Sequence, residues 1–199
     1  MQWYEQDVQE AEKELHKCPY EPETVFYGSS TIRLWTSIYQ DFKQYKPVNL
    51  GFGGSTLAAC VWFFERLIAP RTGAKKIIFY AGDNDIGDGR HPEEVYIFYC
   101  QFVVTLRKHF KTVPLYFISI KPSFDRIDKL DKIQYANELI KNEIAKSNGS
   151  EKFVNVYDKM IAANGEPVQH IYEEDGLHLN KKGYAIWKDV ILKECLAAA

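Results

Sequence analysis

Short apolar runs alternate along the chain with longer stretches in which apolar residues recur every three or four positions. The short runs cover residues 24–27, 48–50, 76–81, 113–120 and 153–156. Ile77-Ile78-Phe79-Tyr80 is apolar throughout, as is Leu115-Tyr116-Phe117-Ile118 after Pro114. Runs without in–out alternation predict strands covered on both faces, as in parallel sheets between helices. The longer stretches predict helices. Across residues 56–68, Leu57, Val61, Phe64 and Ile68 share one stripe, with Ser55 placed to cap it. Across residues 92–110, Val95, Phe98, Phe102, Leu106 and Phe110 do the same, and Pro92 suits a first turn that needs no N–H there. Ile133, Ala136, Ile140 and Ile144 mark another helix. The stretch 181–196 has Asn180 as its cap and turns Tyr184, Trp187 and Ile191 inward. Residues 2–17 predict an outlying helix.

Five strands alternating with helices predict an α/β fold built on a doubly wound parallel sheet. A chain of 199 residues, 46% of them hydrophobic, suits one domain over 1–199 better than two, with 1–20 as an N-terminal helical extension. In such sheets ligands collect beyond the carboxyl ends of the strands. The residues at those ends are small and polar: Gly28-Ser29-Ser30-Thr31, then Asn49 to Thr56, then Gly82-Asp83-Asn84-Asp85. Asp175-Gly176-Leu177-His178-Leu179-Asn180 stands just before the last helix.

Each segment has a plain structural explanation and a chemical one. Ser30 opens a helical turn after a strand, where serine often serves as a cap. It is also where a nucleophile would face a ligand. Asp175 and His178 are spaced to share one face of a helical turn, so a carboxylate could hold one imidazole nitrogen and fix its tautomer. The loop ending at Gly54 can bring a backbone N–H close to a ligand, and Asn84 offers a neutral NH₂ donor; either could equally serve a turn. Donors of this kind stabilise the negative charge that develops on an attacked carbonyl oxygen.

Net charge is −2 and no basic stripe runs along the chain, so nucleic-acid or membrane-surface binding has no electrostatic footprint. No apolar run reaches the roughly 20 residues of a bilayer span, and Met1 to Glu14 lacks a signal-peptide core. Cys18, Cys60, Cys100 and Cys195 are widely and irregularly spaced, which reads as free thiols in a reducing, cytoplasmic setting.

Taken together and in order, the four segments resemble the motif blocks of the SGNH hydrolases, the GDSL-like lipases and acylhydrolases. The resemblance spans nearly the whole chain. It implies a three-layer sandwich whose five-stranded parallel sheet has the flavodoxin-like order 2-1-3-4-5. It implies Ser30 as nucleophile, His178 as base and Asp175 as its orienting partner. The oxyanion hole then falls to the N–H of Ser30, the N–H of Gly54 and the Asn84 amide. Ser29 departs from the pattern, since the family most often has Asp there. The implied chemistry is hydrolysis of a small-molecule ester through a covalent acyl-enzyme, with no metal or cofactor. The polar chain points to a short acyl group such as acetyl. A homo-oligomer is left open.

Three rivals compete. A phosphate cradle at Gly51-Phe52-Gly53-Gly54 fails the full dinucleotide fingerprint, because Thr56 stands at its last glycine, and the loop has no Walker A lysine. A metal site could draw on Asp83, Asp85, Asp175 and His178, but Asp88 stands where a calcium loop needs glycine. A non-catalytic ligand-binding module on the same scaffold would be expected to have lost part of the set, and all five positions are intact.

Overall fold

The computed structural model describes residues 1–196. Strands β1 (Thr24–Gly28), β2 (Pro47–Gly51), β3 (Lys76–Tyr80), β4 (Leu115–Ile118) and β5 (Glu151–Val154) form one parallel sheet in the order β2-β1-β3-β4-β5. The helices are α1 (Glu5–Lys17), α2 (Ser30–Arg33), α3 (Ile38–Asp41), α4 (Leu57–Trp62), α5 (Phe64–Leu67), α6 (Asp83–Gly87), α7 (Pro92–His109), α8 (Leu130–Ala145) and α9 (Lys181–Ile191). The α/β class, the parallel direction and the strand order match the expectation.

The strands read as continuous apolar runs because both faces of the sheet are buried. Val25 and Tyr27 of β1, Ile77 and Phe79 of β3, and Leu115 and Phe117 of β4 enter one core, with α1, α4, α5, α7 and α8. The alternate residues Phe26, Ile78, Tyr80, Tyr116 and Ile118 enter the other, with α2, α3 and α9. Each such side chain contributes about 1.5–3 kcal/mol by leaving water. Rings add directional contacts: Phe79 stacks on Phe102 of α7 with centroids 3.9 Å apart, and Trp187 of α9 meets Tyr80 edge-on at 4.8 Å.

Four local expectations change. The helix read over 56–68 breaks at Phe63, whose backbone (φ −90°, ψ 5°) leaves α-helical geometry; its ring packs on Phe52 and Tyr4. Thr56, not Ser55, caps α4, accepting the Ala59 N–H at 3.2 Å. The helix read over 181–196 keeps its Asn180 cap but ends at Ile191, and Leu192–Leu196 follows as a π turn. Nor is α1 outlying. Val8 and Ala11 are buried against the first core, and Arg66 of α5 holds Glu5 and Glu12 at 2.9 Å each.

At the carboxyl rim, Gly28 has φ +135°, and a Cβ there would stand 1.7 Å from the Tyr80 carbonyl oxygen. No side chain is compatible with that approach of β1 to β3. Gly28→Ala should therefore cost about 3 kcal/mol or more of stability. Urea unfolding measures this, and a wild-type midpoint would contradict it.

Candidate active site

The nucleophile position is set by the end of β1. The Ser29 N–H donates to the Tyr80 carbonyl at 2.9 Å, so the chain leaves the sheet still tied to β3. Ser29 then takes the extended backbone of a helix N-cap, which leaves Ser30 as the first residue of α2. The cap position thus belongs to Ser29, and the Ser30 hydroxyl is free of that task. Ser30 itself is 7% exposed.

Asp175 and His178 do not lie on a helical turn. They sit in a bent loop closed at its base by an antiparallel bridge between Tyr172 and Leu179. Their approach comes from an Asx-type turn: Asp175 Oδ1 accepts the N–H of Leu177 and of His178, each at 2.9 Å. That turn leaves Oδ2 to face the ring, 2.5 Å from His178 Nδ1. The loop is anchored from outside as well. Asn180 Nδ2 donates to the Tyr172 carbonyl at 2.8 Å, and the Phe124 N–H donates to the Gly176 carbonyl at 2.9 Å.

These anchors carry His178 Nε2 to 2.9 Å from Ser30 Oγ, across 148 residues of sequence. The serine hydroxyl, imidazole and carboxylate read from sequence form one hydrogen-bonded line. Burial works against the ionised form of Asp175, but the hydrogen bonds from the His178 ring and from the two backbone N–H groups outweigh it and hold the carboxyl at about 2. Because the folded group is the stronger acid, it favours the fold above about pH 4, and that gain is lost as pH falls towards the folded value.

The three groups read as donors follow the carboxyl ends of β1, β2 and β3. Ser30 N–H belongs to the first turn of α2 and has no intrahelical acceptor. Gly54 has φ +64° and an exposed position, and its N–H donates to no described group. Asn84, in the first turn of α6, donates through Nδ2 to the Ser55 carbonyl at 3.0 Å; this ties the Gly54 loop to β3 and leaves one amide hydrogen free. Asn49 fixes the start of the same loop, donating to the Ile32 carbonyl at 2.7 Å and accepting the Gly51 N–H at 3.0 Å.

The acidic neighbours have other partners. Asp85 accepts the Leu57 N–H at 2.9 Å and pairs with Arg90 at 3.1 Å. Burial nevertheless raises its carboxyl to about 6 against these two contacts. Asp83 faces the buried ammonium of Lys121 at 3.6 Å. The sequence reading did not single out Lys121, although it follows β4 and the strand-end rule that found the other segments points to it. Burial pulls its ammonium below the usual lysine range, and Asp83 pulls it back. The aromatic residues near the motif blocks divide. Trp35 and Phe52 are wholly buried, Tyr172 is nearly so and donates to the Pro122 carbonyl at 2.7 Å, and Trp62 is 67% exposed. All four cysteines are unbridged. No helix among the described residues is long and apolar enough to cross a membrane.

Comparison with known proteins bears on the fold and the family. The fold is shared with a Streptococcus pneumoniae structure named for platelet activating factor (TM-score 0.82, 22% identity, 98% of this chain and 95% of that one). A GDSL-like lipase from Bacteroides thetaiotaomicron superposes with a TM-score of 0.75 at 19% identity, over 96% and 95% of the two chains. A carbohydrate esterase family 3 structure from Talaromyces cellulolyticus does so with a TM-score of 0.65 at 15% identity, over 85% and 94%. In sequence, the chain is 27% identical over 162 residues to an N-acylneuraminate cytidylyltransferase of Escherichia coli O18:K1:H7. That match takes in 77% of this chain and only 36% of the transferase. The profile of the GDSL-like lipase/acylhydrolase family covers residues 24–186, from the first strand into the last helix, and the chain belongs to that family.

Proposed function

We propose that the protein is a serine esterase that removes short acyl groups, acetyl foremost, from carboxylic esters. The observation that carries this reading is the line from Asp175 Oδ2 through the His178 ring to Ser30 Oγ, with contacts of 2.5 and 2.9 Å. The substrate preference draws on the groove of about 560 Å³ beside His178, where Asp41, Glu173, Lys181 and Lys188 can meet a polar alcohol alongside Leu34, Leu179, Tyr184 and Ala185.

The reaction follows from the atoms. His178 Nε2 takes the Ser30 proton as Oγ bonds to the ester carbonyl carbon. The carbonyl π pair moves to oxygen, where the N–H groups of Ser30 and Gly54 and the free Asn84 amide hydrogen stabilise it. Asp175 holds the ring in the tautomer that leaves Nε2 free and stabilises the imidazolium that forms. The oxyanion collapses, the bond from the carbonyl carbon to the alkoxy oxygen breaks, and His178 gives that oxygen the proton as the alcohol departs. Water then attacks the acyl-serine carbonyl, giving a proton to His178. The second tetrahedral adduct collapses, the bond to Ser30 Oγ breaks, and His178 passes the water-derived proton to Oγ as the acid leaves.

Ser30→Ala should lower kcat by about 10⁴-fold or more with an unchanged Tm, and should end labelling by an organophosphorus probe. A wild-type chain that never labels would instead be a ligand-binding module. Asp175→Asn should lower kcat by about 10²- to 10⁴-fold with KM little moved.

With Asp175 ionised down to about 2, its protonation should contribute no limb to kcat/KM until the pH nears that value. A carboxylate limb at about pH 4 that Asp175→Asn removes would contradict the assignment. Along a p-nitrophenyl ester series, turnover should be highest on acetate and fall as the acyl chain lengthens. Faster turnover of long chains would refute the short-acyl preference.

A further inference from the structure

The N-terminal helix reaches the loop that carries Gly54. Tyr4, which immediately precedes α1, donates from its hydroxyl to the Gly54 carbonyl at 3.2 Å. Asp7, in the first turn of α1, accepts the Gly53 N–H on Oδ2 at 2.9 Å. Its other oxygen lies 4.0 Å from the Arg33 guanidinium on α2, the helix that begins with Ser30. All of α1 lies outside the stretch matched by the family profile.

Two successive glycines have no side chains to pack, so backbone contacts alone hold them in place. The loop is fixed before them, where the Phe52 N–H meets the Gly28 carbonyl at 2.9 Å. It is fixed after them, where the Ser55 carbonyl accepts from Asn84 at 3.0 Å. Between those points the hydrogen bonds come from Tyr4 and Asp7. The space is matched as well as the chemistry. A Cβ on Gly53 would stand 2.5 Å from Asp7 Oδ2, so the carboxylate occupies the volume a side chain would need. The rings add to the seat, with Tyr4 meeting Phe52 edge-on at 5.6 Å.

We infer that Tyr4 and Asp7 are positioning residues for the oxyanion loop. They hold Gly53 and Gly54 so that the Gly54 N–H keeps a fixed relation to Ser30, with Asp7 joining the loop to α2 through Arg33. The inference rests on the reading of Gly54 as an oxyanion donor. Docking of α1 does not depend on either group, since Val8 and Ala11 are buried and Arg66 grips Glu5 and Glu12. Removing one hydroxyl or one carboxylate therefore leaves the helix seated.

The test compares Tyr4→Phe, Asp7→Ala and their double variant with Asp7→Asn, which keeps an oxygen able to accept the Gly53 N–H. Amide hydrogen exchange at Gly53, whose N–H Asp7 accepts, is read by NMR. The kcat and KM on p-nitrophenyl acetate and the inhibition constant of a small alkyl boronic acid, which mimics the tetrahedral adduct, are read beside it. The double variant should lose about 10- to 100-fold in kcat, less than the 10²–10³-fold of an oxyanion donor removed outright. Its boronate affinity should fall in parallel, with KM and Tm held. Exchange at Gly53 should quicken in Asp7→Ala and the double variant, while Asp7→Asn stays near wild type. Wild-type exchange rates in the double variant would overturn the inference whatever the chemistry of Ser30. Unmoved kcat and boronate affinity, in a protein that Ser30→Ala inactivates, would overturn it while leaving the esterase reading intact. If Ser30→Ala left turnover in place, the esterase reading would fall instead, and the exchange rates alone would decide whether the loop is held from α1.

Discussion

The contact between Ser30 and His178 joins two residues 148 positions apart, and the candidate chemistry depends on it. Closing so long a loop is not the main difficulty, since each doubling of loop length adds only about 0.6 kcal/mol. Direction is harder, because both side chains must face each other from backbones that leave the sheet at different points. Direction here comes from backbone constraints rather than from the side chains. On one side Gly28 lets β1 run against the Tyr80 carbonyl, and the next N–H is spent on that same oxygen. On the other, the bridge between Tyr172 and Leu179 and the turn around Asp175 leave the imidazole little freedom. An exit anchored to the sheet meets a loop held by its own bridge and turn.

Much of this was legible in the residues. The strands could be read because both faces of the sheet are covered, which removes polar alternation and leaves runs such as residues 77–80. The rule that ligands gather past strand ends then drew attention to Ser30, Gly54, Asn84, Asp175 and His178, and the family resemblance ordered them. What escaped was of two kinds. Local conformation was misread where two solutions share one pattern: the D-x-x-H spacing suits a helical turn and an Asx turn alike, and the stripe across residues 56–68 does not reveal that Phe63 leaves the helix to pack on Phe52. Long-range contacts were missed altogether. Residues 2–17 read as an outlying helix, and nothing in them says that Val8 and Ala11 are buried or which loop Tyr4 and Asp7 will meet. Lys121 was not singled out at all, since its burial beside Asp83 is a property of the fold.

The rim holds carboxylates in opposite conditions. Asp175 is half in water, yet three N–H donors converge on it and make it a strong acid. Asp85 is sealed from water with fewer donors, and its proton is held more tightly. The proposed orienting group needs a permanent charge and has one. Asp85 instead serves structure, since its hydrogen bond to Leu57 begins the helix that follows the Gly54 loop. Environment, rather than residue type, separates the two tasks.

Lys121 and Asp83 close the space between the ends of β3 and β4 with a pair of opposite charges, each shielded from solvent. Among the described residues the lysine nitrogen has no hydrogen-bonding partner, so the charge of Asp83 is what offsets its burial. Losing either member strands a lone ion in a low-dielectric interior, which costs far more than losing both. The two positions therefore act as one unit, and an apolar residue at 121 is tolerated best when position 83 gives up its charge with it.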